Sequence, residues 1–135
     1  MMLNFLDNHD TPRFMRQCGE REEKLRTALV ALYFSVGMPC VLYGTELPLT
    51  GDGDPDCRRT YDWTEKPRHA LFLRELAKTR KSLPDGEFYA TTEHGILVLV
   101  RENETERVKA YFGRTETKGD VIFEFENGKL VKESV

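Results

Sequence analysis

The sequence has no CxxC pair. Its three cysteines, Cys18, Cys40 and Cys57, are odd in number and far apart. That pattern argues against a disulfide framework and against a thiolate zinc site. A reducing, cytoplasmic setting is the simpler expectation, and no metal or other cofactor is expected. Basic charge is not in excess either: 20 Lys and Arg stand against 23 Asp and Glu, for a net charge of −3. Broad nucleic-acid binding, which draws on a basic patch, is therefore not expected. Long apolar runs are also missing. The longest, Ala28 to Phe34, falls far short of the ~20 residues that cross a bilayer, so no membrane partner is expected. Met1 to Leu6 has neither the basic start nor the long apolar stretch of a signal peptide. There is no internal repeat and no low-complexity segment. What is present is 135 residues, 39% of them apolar and 32% charged, with both signs mixed. This composition suits one ordinary domain, or two small pieces, with a modest core.

Two textures follow one another along the chain. Met1 to Leu6 reads as a short buried strand. Glu22 to Val36 reads as a helix, because Leu25, Ala28, Leu29, Leu32, Tyr33 and Val36 recur at the spacing of one helical face. Gly37 and Pro39 supply its stop. "PCVLYG", Pro39 to Gly44, reads as a second buried strand, and a Gly- and Asp-rich loop runs from Thr45 to Lys66. Pro67 opens a second helix to about Ser82, with Phe72, Leu73, Leu76, Ala77 and Leu83 on its inner face and Pro84 closing it. Strand, helix, strand, helix predicts parallel strands. After Asp85 come "GEFYATT", "GILVLVRE", "RVKAYFGR", "DVIFEFE" and "KLVKESV", short strand candidates of an antiparallel sheet, a small sandwich or partial barrel. Val121, Phe123 and Phe125 alternate with Ile122 and Glu124, and Asn127-Gly128 is a hairpin-turn signal. The expected fold class is α+β, with one domain at residues 1–84 and an antiparallel β domain at 85–135.

Parallel βα units carry function at the C-terminal ends of their strands. Two polar clusters lie there: His9-Asp10 after the first strand, and the loop from Glu46 to Arg59 after the second. Two clusters on one rim count for more than either alone. Taken by itself, His9-Asp10 is equally well a strand end, with Asp10 bonding nearby amides in an Asx turn.

"NFLDNHDTPRF", "GMPCVLYGTE" and "TGDGDPDCRRTYDW" resemble the last two βα units of the α-amylase superfamily of glycoside hydrolases. "DPDCRR", and the "CGE" that follows "HDTPRF", are most similar to the cyclomaltodextrinase, neopullulanase and maltogenic amylase group. The resemblance covers Met1 to about Pro84 and extends in position and texture to the β-rich tail. It implies the last two units of a (β/α)₈ TIM barrel, cleavage of α-glucosidic bonds with retention, and an α-glucan or maltooligosaccharide as substrate.

The resemblance also implies roles. Asp10 matches the carboxylate that grips two hydroxyls of the reacting sugar and stabilises an oxocarbenium-like transition state. A fixed negative charge suits that task because positive charge develops on the sugar as the bond breaks. His9 matches an imidazole that bonds a hydroxyl of the same sugar. Asp54 and Arg58 match an acid and a base that hold the same glucose unit, and Arg offers several donors in a rigid fork. Without the motif, Asp54 and Arg58 read as a surface ion pair. Retaining glycosidases need two carboxyls ~5–5.5 Å apart, a nucleophile and an acid. The family carries these on earlier strands of a barrel of ~250 residues, and their motifs are absent from this sequence. The expectation is a fragment that holds the clamp but not the cutting groups and is inactive alone, with strand edges that invite a homo-oligomer.

Other residues read more plainly. Glu46 is a structural anchor, and Trp63 is a packing residue or a sugar platform. His69 is a helix surface residue and His94 a turn residue. Asp52, Asp54 and Asp56 imitate the start of a calcium loop, but its sixth and twelfth positions are Cys57 and Trp63 instead of Gly and Glu. Two other readings stand beside the fragment. One is a non-catalytic carbohydrate-binding or assembly module. The other, remote, is an HD-type metal phosphohydrolase, which needs an upstream His that nothing before His9 supplies.

Overall fold

The structure is a computed structural model. It describes residues 2–112 and, beyond them, the backbone of Val121–Ile122, Phe125–Glu126, Lys129–Leu130 and Glu133–Ser134. The chain divides into two compact units. One holds Met1–Tyr33 and Gly37–Ala77, the other Phe34–Val36 and Lys78–Val135. The sequence places the division at residues 84 and 85; in the fold it runs through the last turns of two helices, because Phe34 joins the core of the second unit.

In the first unit, β1 (Leu3–Asn4) pairs in parallel with β2 (Met38–Pro39), Leu3 against Met38 and Asn4 against Pro39. Both strands are shorter than the apolar runs suggest, and they are not buried: Leu3 is 60% exposed and Met38 44%. The reasons are local. The ladder donors on β2 are Met38 N–H, to the Met2 carbonyl, and Cys40 N–H, to the Asn4 carbonyl, and beyond Cys40 the chain winds into turns, with Thr45 N–H bonding Leu42 O and both Leu47 and Leu49 N–H bonding Gly44 O. Gly37 turns the preceding helix into β2 at φ +95°, and a Cβ there would lie 2.8 Å from the Met2 carbonyl, so glycine is required.

The helices are α1 (Phe14–Gln17), α2 (Glu22–Phe34) and α3 (Ala70–Lys81). Glu22 and Glu23 sit in the first turn of α2, and Lys78, Arg80 and Lys81 in the last turn of α3. Both placements complement the helix dipole. Leu25, Leu29 and Leu32 of α2 are buried as the periodicity predicts, and Val30 is buried as well. Val36 falls beyond the helix end and is exposed. The regular part of α3 starts three residues after Pro67. It buries Leu76 and leaves Ala77 exposed, so its inner face is narrower than expected. Between β2 and α3 the long loop holds a single 3₁₀ turn, Asp56–Arg58.

The second unit is antiparallel. β3 (Glu87–Glu93), β4 (Ile96–Glu102), β5 (Glu106–Phe112) and β6 (Val121–Ile122) form a meander. β9 (Glu133–Ser134) pairs with β5, and β7 (Phe125–Glu126) with β8 (Lys129–Leu130). Phe34, Val108 and Ala110 form a core against Leu83, Phe88, Leu99 and Phe112. Arg101 shares that face and is buried, donating from Nη2 to the Pro84 carbonyl at 3.0 Å. Asn127-Gly128, Phe123 and Glu124 lie outside the described residues, as do the side chains of Val121, Ile122 and Phe125.

Candidate functional site

The polar cluster after β1 is built by Asn8. Its Oδ1 accepts the Asp10 N–H at 2.8 Å, and its own N–H donates to Thr11 Oγ1 at 3.2 Å. Asp7 accepts the N–H of Phe14, the first residue of α1, at 2.7 Å. The turn and the helix start are therefore held by Asn8 and Asp7, which leaves the Asp10 carboxylate out of the local backbone bonding.

That carboxylate faces two other side chains. Arg58 Nη2 donates to Asp10 Oδ1 at 2.8 Å, and His9 Nε2 lies 3.3 Å from Asp10 Oδ2. Arg58 Nε is 3.4 Å from Asp54 Oδ1 and donates to the His9 carbonyl at 3.0 Å. The structure thus brings together all four residues singled out in the sequence, with Arg58 at the centre. All four side chains are open to solvent, Asp10 at 62%. Ion pairs so exposed contribute little to stability. The patch instead offers, side by side, two carboxylates, one guanidinium fork and one imidazole. A polyhydroxylated molecule, which donates and accepts at neighbouring oxygens, meets both kinds of partner there.

Beneath the patch lies a group that the sequence reading left without a role. Arg13 is only 2% exposed. Its Nε donates to the Cys57 carbonyl at 2.9 Å and its Nη1 to the Tyr43 carbonyl at 2.8 Å. Its own N–H bonds the Gly51 carbonyl at 2.9 Å. Cys57 is fully buried, with Sγ 3.3 Å from the His9 carbonyl. Gly51 is required in this packing: a Cβ would lie 2.8 Å from the Cys57 Cα. A single arginine in a polar loop reads as a surface residue, and only its position directly after Pro12 and before an apolar turn hints otherwise.

Asp52 and Asp56 of the loop are already paired with arginines. Arg16 Nε lies 2.6 Å from Asp52, and Arg59 Nε lies 3.1 Å from Asp56. Among the described residues no cluster of three or more His, Cys, Asp or Glu could hold a metal ion, and no helix is long and apolar enough to cross a membrane. Trp63 is not a packing residue: it is 87% exposed, with Tyr61 4.6 Å away between ring centroids. Desolvation, then the Glu46 carboxylate, raise the Tyr61 hydroxyl above its usual range. Glu46 also accepts the His69 N–H at its carbonyl, at 2.9 Å.

His69 corrects a second expectation. It is not on a helix surface but 4% exposed, just before α3, with Nε2 3.0 Å from Glu22 Oε2 at the start of α2. Arg68 holds the other oxygen of Glu22 at 2.6 Å. Burial pushes the His69 pKa below its ordinary value; Glu22 opposes the shift, and Arg26 and Arg68 add to it. His94 is a turn residue at φ +51°.

No protein-family model matches the chain. Individual proteins do. A maltogenic α-amylase of Bacillus acidopullulyticus is 33% identical over 89% of this chain and 20% of its own length. An intracellular maltogenic amylase of Bacillus subtilis is 31% identical over 98% of this chain and 22% of its own length. The chain therefore spans about a fifth of the length of these curated relatives. Among solved structures, an α-amylase from Geobacillus thermoleovorans in complex with acarbose superposes with a TM-score of 0.74 at 30% identity, covering 84% of this chain and 27% of that one. Other relatives are neopullulanases and cyclomaltodextrinases. The chain belongs to the α-amylase superfamily of glycoside hydrolases, in the group of maltogenic amylases, neopullulanases and cyclomaltodextrinases.

Proposed function

We propose that the chain is the substrate-clamp portion of a retaining α-glucan hydrolase. In this reading residues 1–84 supply the last two βα units of a (β/α)₈ barrel, and 85–135 the β domain that follows it. The observation that carries it is Arg58 joining Asp10 and Asp54 while His9 lies against Asp10. The ligand is a glucose unit of an α-glucan or maltooligosaccharide. Asp10 accepts hydrogen bonds from neighbouring hydroxyls of that unit, and His9 bonds a hydroxyl of the same sugar. Asp54 and Arg58 hold its remaining hydroxyls.

Asp10 does more than bind. As the glucosidic bond stretches, positive charge builds on the sugar ring, and a carboxylate held in advance is worth more against that charge than against the neutral ground state. Arg58 and His9 keep both Asp10 oxygens oriented before the sugar arrives. Nucleophile and general acid come from strands outside these 135 residues, so the chain alone does not turn over α-glucan. The intracellular name of the Bacillus subtilis relative supports a cytoplasmic setting for the whole enzyme.

The test is a chimera in which this chain replaces the matching fifth of the Bacillus acidopullulyticus enzyme. In a folded, active chimera, Asp10→Asn keeps the shape, removes the charge and is expected to lower kcat by ~10²–10³. An Asp10→Asn chimera with kcat within about twofold of its parent, far below the loss expected of an electrostatic contact, would show that Asp10 only shapes the strand end.

A further inference from the structure

We infer that Arg13 is the positioning residue of the clamp: it fixes the Asp54–Arg58 loop against the His9–Asp10 turn without touching the ligand. The inference rests on the clamp reading for its functional meaning and on geometry for its substance. A guanidinium keeps its charge at any accessible pH and is costly to bury unless its donors are used. Arg13 is buried and spends Nε and Nη1 on main-chain carbonyls, those of Cys57 and Tyr43, while Nη2 makes no hydrogen bond among the described residues. Its guanidinium also lies 4.8 Å from the centre of the Tyr43 ring, within range of a cation–π contact. Its backbone N–H takes the Gly51 carbonyl. One residue thus ties together three segments far apart in sequence: its own turn, the turn after β2, and the loop from Gly51 to Arg58.

The last tie matters most. Cys57 is followed directly by Arg58, and both reach back to one atom, the His9 carbonyl, from Sγ at 3.3 Å and Nε at 3.0 Å. Arg13 therefore fixes the peptide that carries Arg58, and Arg58 in turn fixes Asp10. Lysine cannot replace it. A single ammonium on a flexible stem has no planar fork with which to meet two carbonyls in fixed directions.

The cysteines supply the test. Cys57 and Cys18 are buried and Cys40 is exposed, so a Cys40→Ser chain reports the two buried thiols alone. Cys57 reads the loop, and Cys18, bonded to the Met15 and Arg21 carbonyls, reads the helical part of the same unit. With an aromatic disulfide reagent, Arg13→Lys is expected to make Cys57 react roughly tenfold faster or more, the rate change of a loop that opens ~1.4 kcal/mol more easily. Cys18 should keep its parent rate. Cys57 as protected as in the parent overturns the inference; so does equal acceleration of both thiols, which would mean general loosening. A second arm titrates maltoheptaose. Arg13→Lys should weaken its affinity roughly tenfold, the worth of about one well-made hydrogen bond, with the thermal midpoint kept. Unchanged affinity in a chain with a reactive Cys57 would overturn the positioning role. Thiol protection as stated, in a parent chain with no affinity for maltoheptaose, would support the hold of Arg13 on the loops and sink the clamp reading instead.

Discussion

At the scale of single residues, burial separates Arg13 and His69 from the residues of the polar patch. Arg13 and His69 are buried and bonded; His9, Asp10, Asp54 and Arg58 are open and face one another. His69 gives a prediction with a sign. Its folded pKa lies below the ordinary ~6.5, chiefly because burial disfavours the charged ring. The folded state then holds fewer protons than the unfolded state as pH drops below ~6.5. The stability that neutral His69 contributes is complete above that pH and is lost as pH falls through the lower, folded value. Urea unfolding at a series of pH values from 7.5 down should show stability declining in the parent chain and a shallower decline in His69→Gln. Equal slopes would mean that protonation of His69 is not resisted by its site. His9, Asp10, Asp54 and Arg58 could be picked out from sequence because "NHD" and "DPDCRR" resemble motifs of the family, and the structure brings the four together. Arg13 and His69 could not: a lone Arg or His in a polar stretch is usually a surface residue, and only long-range partners, Cys57 for one and Glu22 for the other, bury them.

At the scale of elements, β1 and β2 leave apolar side chains in water. Met2, Leu3, Phe5 and Met38 are all more than two-fifths exposed. Parallel strands are almost always covered on both faces, and an open strand edge pairs readily with another chain. A homo-oligomer through β1 is the expected outcome for the chain by itself. Sedimentation equilibrium at micromolar concentration should find a dimer or larger species, and Leu3→Lys with Phe5→Ser should shift it to monomer. A parent chain that runs as a monomer would remove the edge as an interface. Element type was readable from the pattern: the period of α2 places Leu25, Leu29 and Leu32 inside, and β3, β4 and β5 fall on the strand candidates "GEFYATT", "GILVLVRE" and "RVKAYFGR". Element length was not. "PCVLYG" has the composition of a strand, but after the Cys40 N–H bond to the Asn4 carbonyl the turn bonds to Leu42 and Gly44 take the chain out of the ladder. The apolar run could not reveal this, because side-chain character does not report where backbone N–H groups are spent.

At the scale of the whole molecule, the first unit holds the polar patch of His9, Asp10, Asp54 and Arg58, and the second an antiparallel sheet with its own core around Phe34, Val108 and Ala110. Under the proposed function, the two chemistries that a retaining hydrolase combines are divided: this chain would orient the sugar, and the carboxyls that cut and protonate would belong to other strands. Recognition without turnover is what the 135 residues should show. The most direct measurement is a titration of the ¹⁵N-labelled chain with maltoheptaose, followed by amide and arginine side-chain chemical shifts. The account predicts shifts confined to His9, Asp10 and the Asp54–Arg58 loop, saturating at millimolar sugar and lost in Arg58→Ala, with no sugar consumed. Shifts that leave those residues unmoved, or that survive Arg58→Ala unchanged, would contradict it.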